Sequence, residues 1–178
     1  MSALSAEEHS GAGRDHAPAV EDTVRDVVAH RALGSELSAG SLYEILRLRS
    51  DVFVVEQECA YPELDGRDLA ADTVHLWLTD DSDPAESPAV LAYLRLLAEP
   101  DSTVRIGRVC TAEAARGRGL GGRLMTMAIA EIGSTDSVLA AQVAVLGFYR
   151  SFGYRPVGEV YDEDGIAHQP MARAGDPV

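Results

Sequence analysis

Apolar residues along this chain fall into short runs separated by turn residues, and the spacing within each run predicts its secondary structure. Alternation of apolar and polar positions predicts strands near residues 22–31, 72–79 and 88–97, the last two joined by an acidic turn. After the first strand, Ser41 and Glu44 have the spacing of a capping box that opens a helix. The first half of the chain is therefore predicted to run strand, helix, strand, strand.

The second half of the chain predicts a strand, a helix and a second strand in succession. A strand begins near residue 103, a helix covers Leu120–Ile132, and the apolar run Ser137–Gln142 predicts a short buried strand. An apolar helix over residues 143–152 follows, with Gly153 as its C-cap, and a pair of strands closes the chain. This order predicts an α/β fold with a mixed sheet, opened where two parallel strands diverge.

The strand that begins near residue 103 changes register part-way along. Val104 and Ile106 alternate with polar neighbours, but the next apolar residues, Val109 and Cys110, fall out of that register. One extra residue near 107–108 accounts for the shift. The pattern therefore predicts a β-bulge in this strand.

A loop rich in arginine and glycine connects this strand to the next helix. Its glycines lack Cβ, so positive φ angles are open to them and successive backbone N–H groups can converge on one point at the helix N-terminus. The chain carries a net charge of −14, yet residues 105–123 hold five arginines and one glutamate. Arg116, Arg118 and Arg123 add positive charge around the loop, which together with the amides predicts a phosphate-binding site.

Three known kinds of phosphate-binding loop have sequence patterns close to this segment. A Walker loop requires a lysine, and the chain contains none, which excludes that kind of nucleotide hydrolysis. Gly117, Gly119 and Gly122 spell the G-x-G-x-x-G of a dinucleotide site, but five residues separate them from the strand and about a hundred residues precede them. The third pattern, R-x-x-G-x-G, runs from Arg116 to Gly121 and fits its context.

This third pattern resembles the acetyl-CoA pyrophosphate loop of the GNAT N-acetyltransferase superfamily. Further along, FYRSFGY is similar to that family's [LF]-Y-x-x-x-G-[FY], and residues 42–68 and 159–173 resemble its ElaA-like branch. The resemblance implies the GNAT acyl-CoA N-acyltransferase fold, with helices on both faces of a central sheet splayed at the β-bulge. It also implies acetyl-CoA (CoA) as the cofactor and one such domain over residues 21–178.

The resemblance implies roles for particular residues. Tyr149 stands where the family's general acid usually lies, and a phenol, with an ordinary pKa of about 10, still carries the proton that a departing thiolate needs. The alternative is that Tyr149 is a core aromatic residue. Gln142 replaces the Asn that usually contacts the cofactor. The implied cofactor contacts are Val109, Cys110, Thr111, Arg116, Gly117, Arg118, Gly119, Leu120, Gly121, Gly122 and Gln142.

The general base is left open by the sequence. Glu56 is one candidate because of its place in VFVVEQ, and His75 and His168 are others because histidine titrates near neutrality. Each could equally be structural, Glu56 as the partner of an arginine and His75 as a core histidine. Ordered water is a further alternative, and no metal site is expected.

The implied reaction is acetyl transfer from acetyl-CoA to a primary amine of a small molecule or peptide by direct attack on the thioester. A polyamine-like compound, an amino sugar and an N-terminal amine all stay open as acceptors. Acidic residues could form a negative rim that favours a cationic amine, although they could equally be solvated loops. They are Glu56, Glu58, Glu63, Asp65, Asp68, Asp162, Glu163 and Asp164.

The sequence leaves two other functions open. The run from Arg49 to Phe53 is similar to the R-x-x-V-F of acyl-homoserine-lactone synthases, but those enzymes largely lack the complete pyrophosphate loop. A non-catalytic acyl-CoA-binding sensor is the other alternative, and a tyrosine at the acid position disfavours it.

Composition sets the wider expectations. The 178 residues suit one domain, preceded by a polar N-terminal tail over residues 1–20 that is expected to be disordered. No run is long enough to cross a membrane, and the acidic charge disfavours nucleic acid, which together predict a soluble cytoplasmic protein. Cys59 and Cys110 imply no disulfide framework, and Cys110 is expected to be a buried apolar residue. An exposed final strand could pair two copies into a homodimer.

Overall fold

The computed structural model describes residues 27–81 and 88–176, and these form a mixed sheet with helices on both faces. The predicted tail, residues 1–20, lies outside the described residues, as do residues 22–26 of the predicted first strand. The strands are Val27–Leu33 (β1), Val74–Asp80 (β2), Ala89–Ala98 (β3), Val104–Thr111 (β4), Ser137–Gln142 (β5), Arg155–Pro156 (β6), Tyr161–Glu163 (β7) and Ile166–Arg173 (β8). The α-helices are Ala39–Ser50 (α1), Leu120–Ile132 (α2) and Leu146–Arg150 (α3).

Within the described residues, the strands form one eight-stranded sheet in the order β1-β2-β3-β4-β5-β8-β6, with β7 also paired to β8. β4 and β5 run parallel, and the other neighbouring strands run antiparallel. The parallel pair is joined through α2, as a parallel crossover requires. The predicted α/β class with a mixed sheet is confirmed.

The helices cover opposite faces of the sheet because successive strand residues point to opposite sides. On β2, Leu76 packs in a cluster with α2 residues such as Leu124, whereas its neighbour Trp77 packs with Ile45 and Leu48 of α1. α3 lies on the same side as α2, since Tyr149 belongs to the α2 cluster. Both faces of the central strands are therefore buried, and β3 reads as a nearly continuous apolar run.

The predicted β-bulge is present in β4. Tyr93 of β3 pairs with Cys110 of β4, but Arg95 pairs with Gly107, so two residues of β4 lie opposite one residue of β3. Arg108, one of the two, has φ +56°. On its other side, β4 pairs with β5 at Val104 and Arg105, beyond which the two strands diverge. The bulge and the divergence together open a gap in the middle of the sheet.

Several local predictions differ from the structure. α1 starts at Ala39 because the side chain of Ser38, not Ser41, caps it, accepting a hydrogen bond from the Ser41 N–H at 3.0 Å. Glu44, the other half of the predicted capping box, instead forms an ion pair with Arg47. α1 continues as a π-helical segment over Asp51–Glu56, which the sequence pattern did not indicate.

The predicted helix over residues 143–152 is shorter and less regular. A 3₁₀ turn over Val143–Val145 comes before α3, because β-branched valines and Gly147 are poor helix formers. The C-cap of α3 is Ser151, two residues before the predicted Gly153; Gly153 has φ +85° and donates from its N–H to the Arg150 carbonyl in the turn that follows.

The expected exposed final strand is wrong. β8 pairs with β5 on one side and with β6 and β7 on the other, so it has no free edge along those pairings. This removes the reason given for a homodimer through that strand. No helix among residues 27–81 and 88–176 is long and apolar enough to cross a membrane.

Candidate active site

A cavity of about 680 Å³ occupies the gap between β4 and β5, a size typical of small-molecule and cofactor sites. Its walls come from the bulged part of β4, the C-terminal half of β5 and helix α3. The π-helical segment with the loop that follows it, and the β7–β8 hairpin, close the remaining sides. The cavity is therefore built where the sheet itself is interrupted.

The glycine-rich loop at one edge of this cavity has the conformation that its sequence predicts. Gly117 has φ +76°, and Gly119, the N-cap of α2, has φ +74°. The first backbone bond of α2 runs from the Arg123 N–H to the Gly119 carbonyl, so the N–H groups of residues 120–122 precede the helical hydrogen bonds. A glycine N-cap has no side chain to accept from them. The end of α2 is therefore suited to an anionic ligand.

The side chains around the loop divide into two groups. Arg116 lines the cavity, donating from Nε to the Thr111 carbonyl at 3.2 Å and pairing with Glu56. Arg123 instead points to the edge of the sheet and donates to the Val27 carbonyl at 3.0 Å, which differs from its expected place beside a phosphate. Leu120 has its side chain buried in the core, so it faces the loop through its backbone.

The backbone amides of β4 change direction at the bulge. The Val104 N–H donates to Asp136 on the β5 side at 3.0 Å, whereas the Ala112 N–H donates to Leu91 on the β3 side at 2.8 Å. Successive N–H groups in an extended chain alternate sides, so these two residues would face the same way without a bulge. Counting back from Ala112, the amides of Val109 and Thr111 face the gap.

Arg108 takes the strained conformation that makes this change possible. A non-glycine residue at positive φ costs about 1–2 kcal/mol, so other contacts must hold it. Its Nε donates to Glu63 at 2.5 Å, its Nη2 donates to the Glu63 carbonyl at 3.2 Å, and its guanidinium lies 5.7 Å from the centre of the Tyr61 ring.

Tyr149 lies in the cavity wall with 7% of its surface exposed. Burial raises the pKa of its phenol to about 12, with the neighbouring Tyr154 and Cys110 adding to the rise. Its ring packs edge-on against Phe148 and Tyr154. The side chain is thus both a packed aromatic residue and a protonated phenol in the cavity wall. The two interpretations of Tyr149, as a general acid and as a core aromatic residue, are therefore compatible.

His168 lies across the cavity on β8, directly paired with Gln142 of β5. Its Nδ1 is 2.8 Å from the Ile166 carbonyl, which can only accept a hydrogen bond, so Nδ1 carries the proton in the neutral ring. Nε2 is then the basic nitrogen. The ring stacks on Tyr161 of the neighbouring strand.

The other two candidate bases have different surroundings. Glu56 lines the cavity, but a hydrogen bond from Arg116 lowers the pKa of its carboxyl group, which makes it a weaker base. His75 is fully buried outside the cavity lining of the described residues. It lies 2.8 Å from both the Tyr93 hydroxyl and the Asp68 carbonyl, and burial lowers its pKa. The structure therefore groups Glu56 and His168 with Tyr149, and leaves His75 in the core.

Gln142 and Cys110, two of the expected cofactor contacts, also line the cavity. The Gln142 side chain donates to Gln57 at 3.3 Å, which links β5 to the loop on the far wall. Burial raises the pKa of the Cys110 thiol to about 12, so it stays protonated and unreactive, as expected for a buried apolar residue. Both cysteines are free.

A buried network of ion pairs next to the cavity was not anticipated by the sequence reasoning. Arg49, fully buried, donates to Glu63 and Asp68 at 2.5 and 2.6 Å. Arg95, 2% exposed, pairs with Asp65 and Asp68. The carboxylates of Glu63, Asp65 and Asp68 are among those expected to form a negative rim. The available signal was an arginine inside the apolar strand β3, because a buried arginine requires carboxylate partners.

Of the other acidic residues of the expected rim, Glu56 ends the π-helical segment and Glu58 follows it, whereas Asp162, Glu163 and Asp164 are at the hairpin. Glu163 and Asp164 line the cavity at the turn between β7 and β8. Glu163 accepts a hydrogen bond from the Tyr161 hydroxyl at 3.2 Å, and the Asp164 carbonyl accepts from the Cys59 thiol at 3.5 Å. Negative charge therefore lies at the hairpin wall of the cavity.

Comparison with known proteins identifies the class to which this fold and site belong. The sequence model of the acetyltransferase (GNAT) domain matches residues 57–174, and the chain belongs to the GNAT acetyltransferase family. It is 43% identical over 145 residues to UPF0039 protein Rv2851c of Mycobacterium tuberculosis, which covers 82% of this chain and 92% of that protein.

Two solved structures are similar over nearly their whole length. The crystal structure of Escherichia coli ElaA is 39% identical, with a TM-score of 0.75, covering 83% of this chain and 99% of that chain. An acyl-CoA N-acyltransferase from Pseudomonas aeruginosa is 41% identical, with a TM-score of 0.76 and the same coverage. The resemblance to the ElaA-like branch and the acyl-CoA N-acyltransferase fold are confirmed.

Proposed function

We propose that this protein is an acetyl-CoA-dependent N-acetyltransferase that moves an acetyl group to a primary amine by direct attack on the thioester. One observation carries the proposal: β4 and β5 diverge beside a glycine-capped helix, and a buried phenol faces the gap between them. An open sheet with an anion-binding helix end suits a long ligand that carries a diphosphate at one end.

The residues of the gap fit coenzyme A. The amides of residues 120–122 and the positive-φ glycines 117 and 119 would hold its diphosphate, with Arg116 and Arg118 nearby. The amides of Val109 and Thr111 face the gap where the extended pantetheine arm would lie, and Gln142 lies on the opposite strand. Acetyl-CoA would supply the activated thioester. The amides and side chains named above would bind the cofactor and orient it.

The Val109 N–H is suited to stabilise the developing oxyanion. It belongs to a fixed strand, so its direction costs no reorganisation during the reaction, which is the condition for effective electrostatic stabilisation. Direct transfer requires no covalent intermediate on the protein. The raised pKa of the Cys110 thiol supports this, because a neutral buried thiol is a poor nucleophile.

His168 and Tyr149 are suited to move the two protons of the reaction. The acceptor amine arrives protonated, and the unprotonated Nε2 of His168 can remove that proton. Tyr149 would donate to the departing sulfur. Burial raises the pKa of this phenol to about 12, so it still carries its proton when the thiolate departs.

The acceptor would be an amine of a small molecule or peptide that enters from the hairpin side. Glu163 and Asp164 would attract its positive charge before deprotonation. The Arg49 of the acyl-homoserine-lactone-synthase-like motif is buried in ion pairs away from the cavity lining of the described residues, whereas Val52 and Phe53 of the same motif line the cavity. The charged residue of that motif therefore adds no support for a different acceptor.

Thiol release tests the proposal. The purified protein is incubated with acetyl-CoA and a panel of polyamines, amino sugars and short peptides with free N-termini, and free CoA is followed with a thiol reagent. We expect at least one amine to raise thiol release well above the hydrolytic background, with an acetylated product of the matching mass. Calorimetry with CoA runs in parallel. Tight CoA binding with no product from any amine would favour the acyl-CoA sensor, and no binding would reject both functions.

A further inference from the structure

The reversal of amide direction in β4 depends on one residue, Arg108. The register between β3 and β4 shifts at this point, and Arg108 is the residue of β4 with a positive φ, +56°. Glycine would take this conformation without strain, and β4 has a glycine immediately before it, at Gly107. An arginine at the strained position therefore calls for a reason that lies in its side chain.

Glu63 holds the Arg108 side chain by two kinds of contact, and the Asp65 carboxylate lies 3.9 Å from the Arg108 Nη2. Its Nε donates to the Glu63 carboxylate at 2.5 Å, and its Nη2 donates to the Glu63 main-chain carbonyl at 3.2 Å. The Tyr61 ring covers the guanidinium. Bonds to both the side chain and the backbone of one residue fix the direction of a guanidinium as well as its distance.

Glu63 is itself held from behind. It is 5% exposed, and its other carboxylate oxygen accepts from Arg49 at 2.5 Å. Arg49 is fully buried and also bonds to Asp68, which in turn pairs with Arg95 on β3. Glu63 is thus anchored to α1 and, through Asp68, to β3, so it offers Arg108 a rigid attachment.

We infer that Arg108 and Glu63 are positioning residues: their ion pair holds the bulge of β4 so that the Val109 and Thr111 amides point into the gap. The inference rests on the proposed function for its catalytic consequence, because those amides would bind the pantetheine arm and the oxyanion. Its structural content concerns the direction of two amides in the protein alone. The two parts can therefore be tested separately.

Three substitutions at one position separate the side chain from the backbone. We call the Arg108–Glu63 ion pair the clamp. Arg108→Gly relieves the backbone strain but removes the clamp, whereas Arg108→Ala removes the clamp and keeps the strain. Arg108→Lys keeps a positive charge near Glu63. If the clamp positions the amides, the Arg108→Gly and Arg108→Ala variants should both lower kcat at least tenfold. Removal of one oxyanion donor from an enzyme typically lowers kcat by about 10²–10³-fold. Lysine should restore part of the loss. An Arg108→Gly protein as active as the unaltered chain would overturn the inference.

A second readout needs no turnover. Backbone amide NMR shifts of Val109 and Thr111 are measured in the unaltered protein and in Arg108→Gly, each without ligand and with CoA. We expect both amides to shift in the ligand-free variant and to respond less to CoA, while those of Gly119 and Gly121 respond as before. Unchanged Val109 and Thr111 shifts would overturn the positioning role. If these shifts change but the unaltered protein acetylates no amine, the proposed function fails and the clamp stands.

Controls address folding and general loss of an ion pair. Arg31→Ala removes an arginine–glutamate pair with Glu131 on the outside of the fold, and its kcat should stay within twofold. Circular dichroism melts confirm that each variant unfolds cooperatively. Glu63→Gln should reproduce the amide shifts of Arg108→Gly; the Arg108 variants alone decide the outcome if that buried substitution prevents folding.

Discussion

At the scale of single residues, the proposed function assigns the two proton transfers to Tyr149 and His168, which line the same cavity. Tyr149 is buried on α3, where desolvation keeps its phenol protonated, and His168 on β8 is fixed in one tautomer by a main-chain carbonyl. Glu56 reaches the same cavity, but its bond to Arg116 makes it a poor proton acceptor. The proposed roles therefore follow from the surroundings of each side chain more than from its residue type.

Tyr149→Phe is expected to lower turnover at least tenfold with little change in CoA affinity. The ring and its packing are kept, and only the hydroxyl that faces the gap is lost. Steady-state thiol release gives kcat, and calorimetry gives the dissociation constant for CoA.

Tyr154→Phe is the matched control. The Tyr154 hydroxyl bonds to Ser137 at 2.7 Å, so its loss should reduce the free energy of unfolding by about 1 kcal/mol and leave kcat nearly unchanged. Equal turnover in Tyr149→Phe and the unaltered protein would remove Tyr149 from the mechanism.

At the scale of elements, the N-terminus of α2 and the bulge of β4 converge on the same gap. Gly119, the N-cap of α2, has a positive φ and no side chain to cap the first turn, and β4 turns its amides toward β5 at Arg108. Both arrangements present backbone N–H groups, which bind phosphate and carbonyl oxygens without a charged side chain. The side chain that does line this edge, Arg116, is partly neutralised by Glu56.

Gly119→Ala is expected to weaken CoA binding about tenfold and to reduce the free energy of unfolding by about 1–2 kcal/mol. An added Cβ would meet no atom within 4 Å, so the cost comes from the positive φ of +74° and from the shift of the loop amides. Calorimetry with CoA and urea unfolding measure the two effects.

Gly133→Ala provides the comparison at the other end of α2. Gly133 also has a positive φ, +60°, and open space where a Cβ would lie. The free energy of unfolding should therefore fall at least as much in Gly133→Ala as in Gly119→Ala. Its CoA affinity should not change. Equal weakening of CoA binding in both variants would mean that the glycine loop acts through stability alone.

At the scale of the whole molecule, the buried ion pairs join parts of the chain that are distant in sequence. Arg49 on α1, Arg95 on β3 and Arg108 on β4 meet the carboxylates of the loop between α1 and β2. Burial raises the pKa of Asp65 and Asp68, but the hydrogen bonds from Arg95 and Arg49 outweigh it and leave both pKa values lowered. The loop that walls the cavity is thus held by charge.

Stability should therefore depend on pH in the acid range. A carboxyl group whose pKa is lowered by folding stabilises the protein above its unfolded pKa of about 3.9, and this contribution is lost as pH falls toward the folded pKa. The stability difference between the unaltered protein and Asp65→Asn should be large at pH 6 and shrink at pH 3, measured by urea unfolding at both values.

Asp72→Asn is the control for this dependence. Asp72 is an exposed aspartate just before β2, so its substitution should change stability little at either pH. A constant difference between Asp65→Asn and the unaltered protein at both pH values would contradict the electrostatic role of the loop.

The local patterns of the sequence determined the elements around the site. The helix over Leu120–Ile132, the strand over Ser137–Gln142 and the bulge near residues 107–108 are all present, because each depends on neighbouring residues: periodicity, glycine and register. The family was likewise readable, since its loop and its FYRSFGY motif are continuous in the chain.

What only the tertiary structure decided was how distant side chains are paired. The sequence could not tell that His75 is a core residue bonded to Tyr93 and Asp68. Nor could it tell that the Glu63 carboxylate is paired with Arg49 and Arg108 rather than exposed to a ligand. The sequence shows the same residue type whether a carboxylate or imidazole lies in a solvated loop or in a buried pair. Its pKa and its partner depend on burial and on residues tens of positions away, and folding alone brings those together.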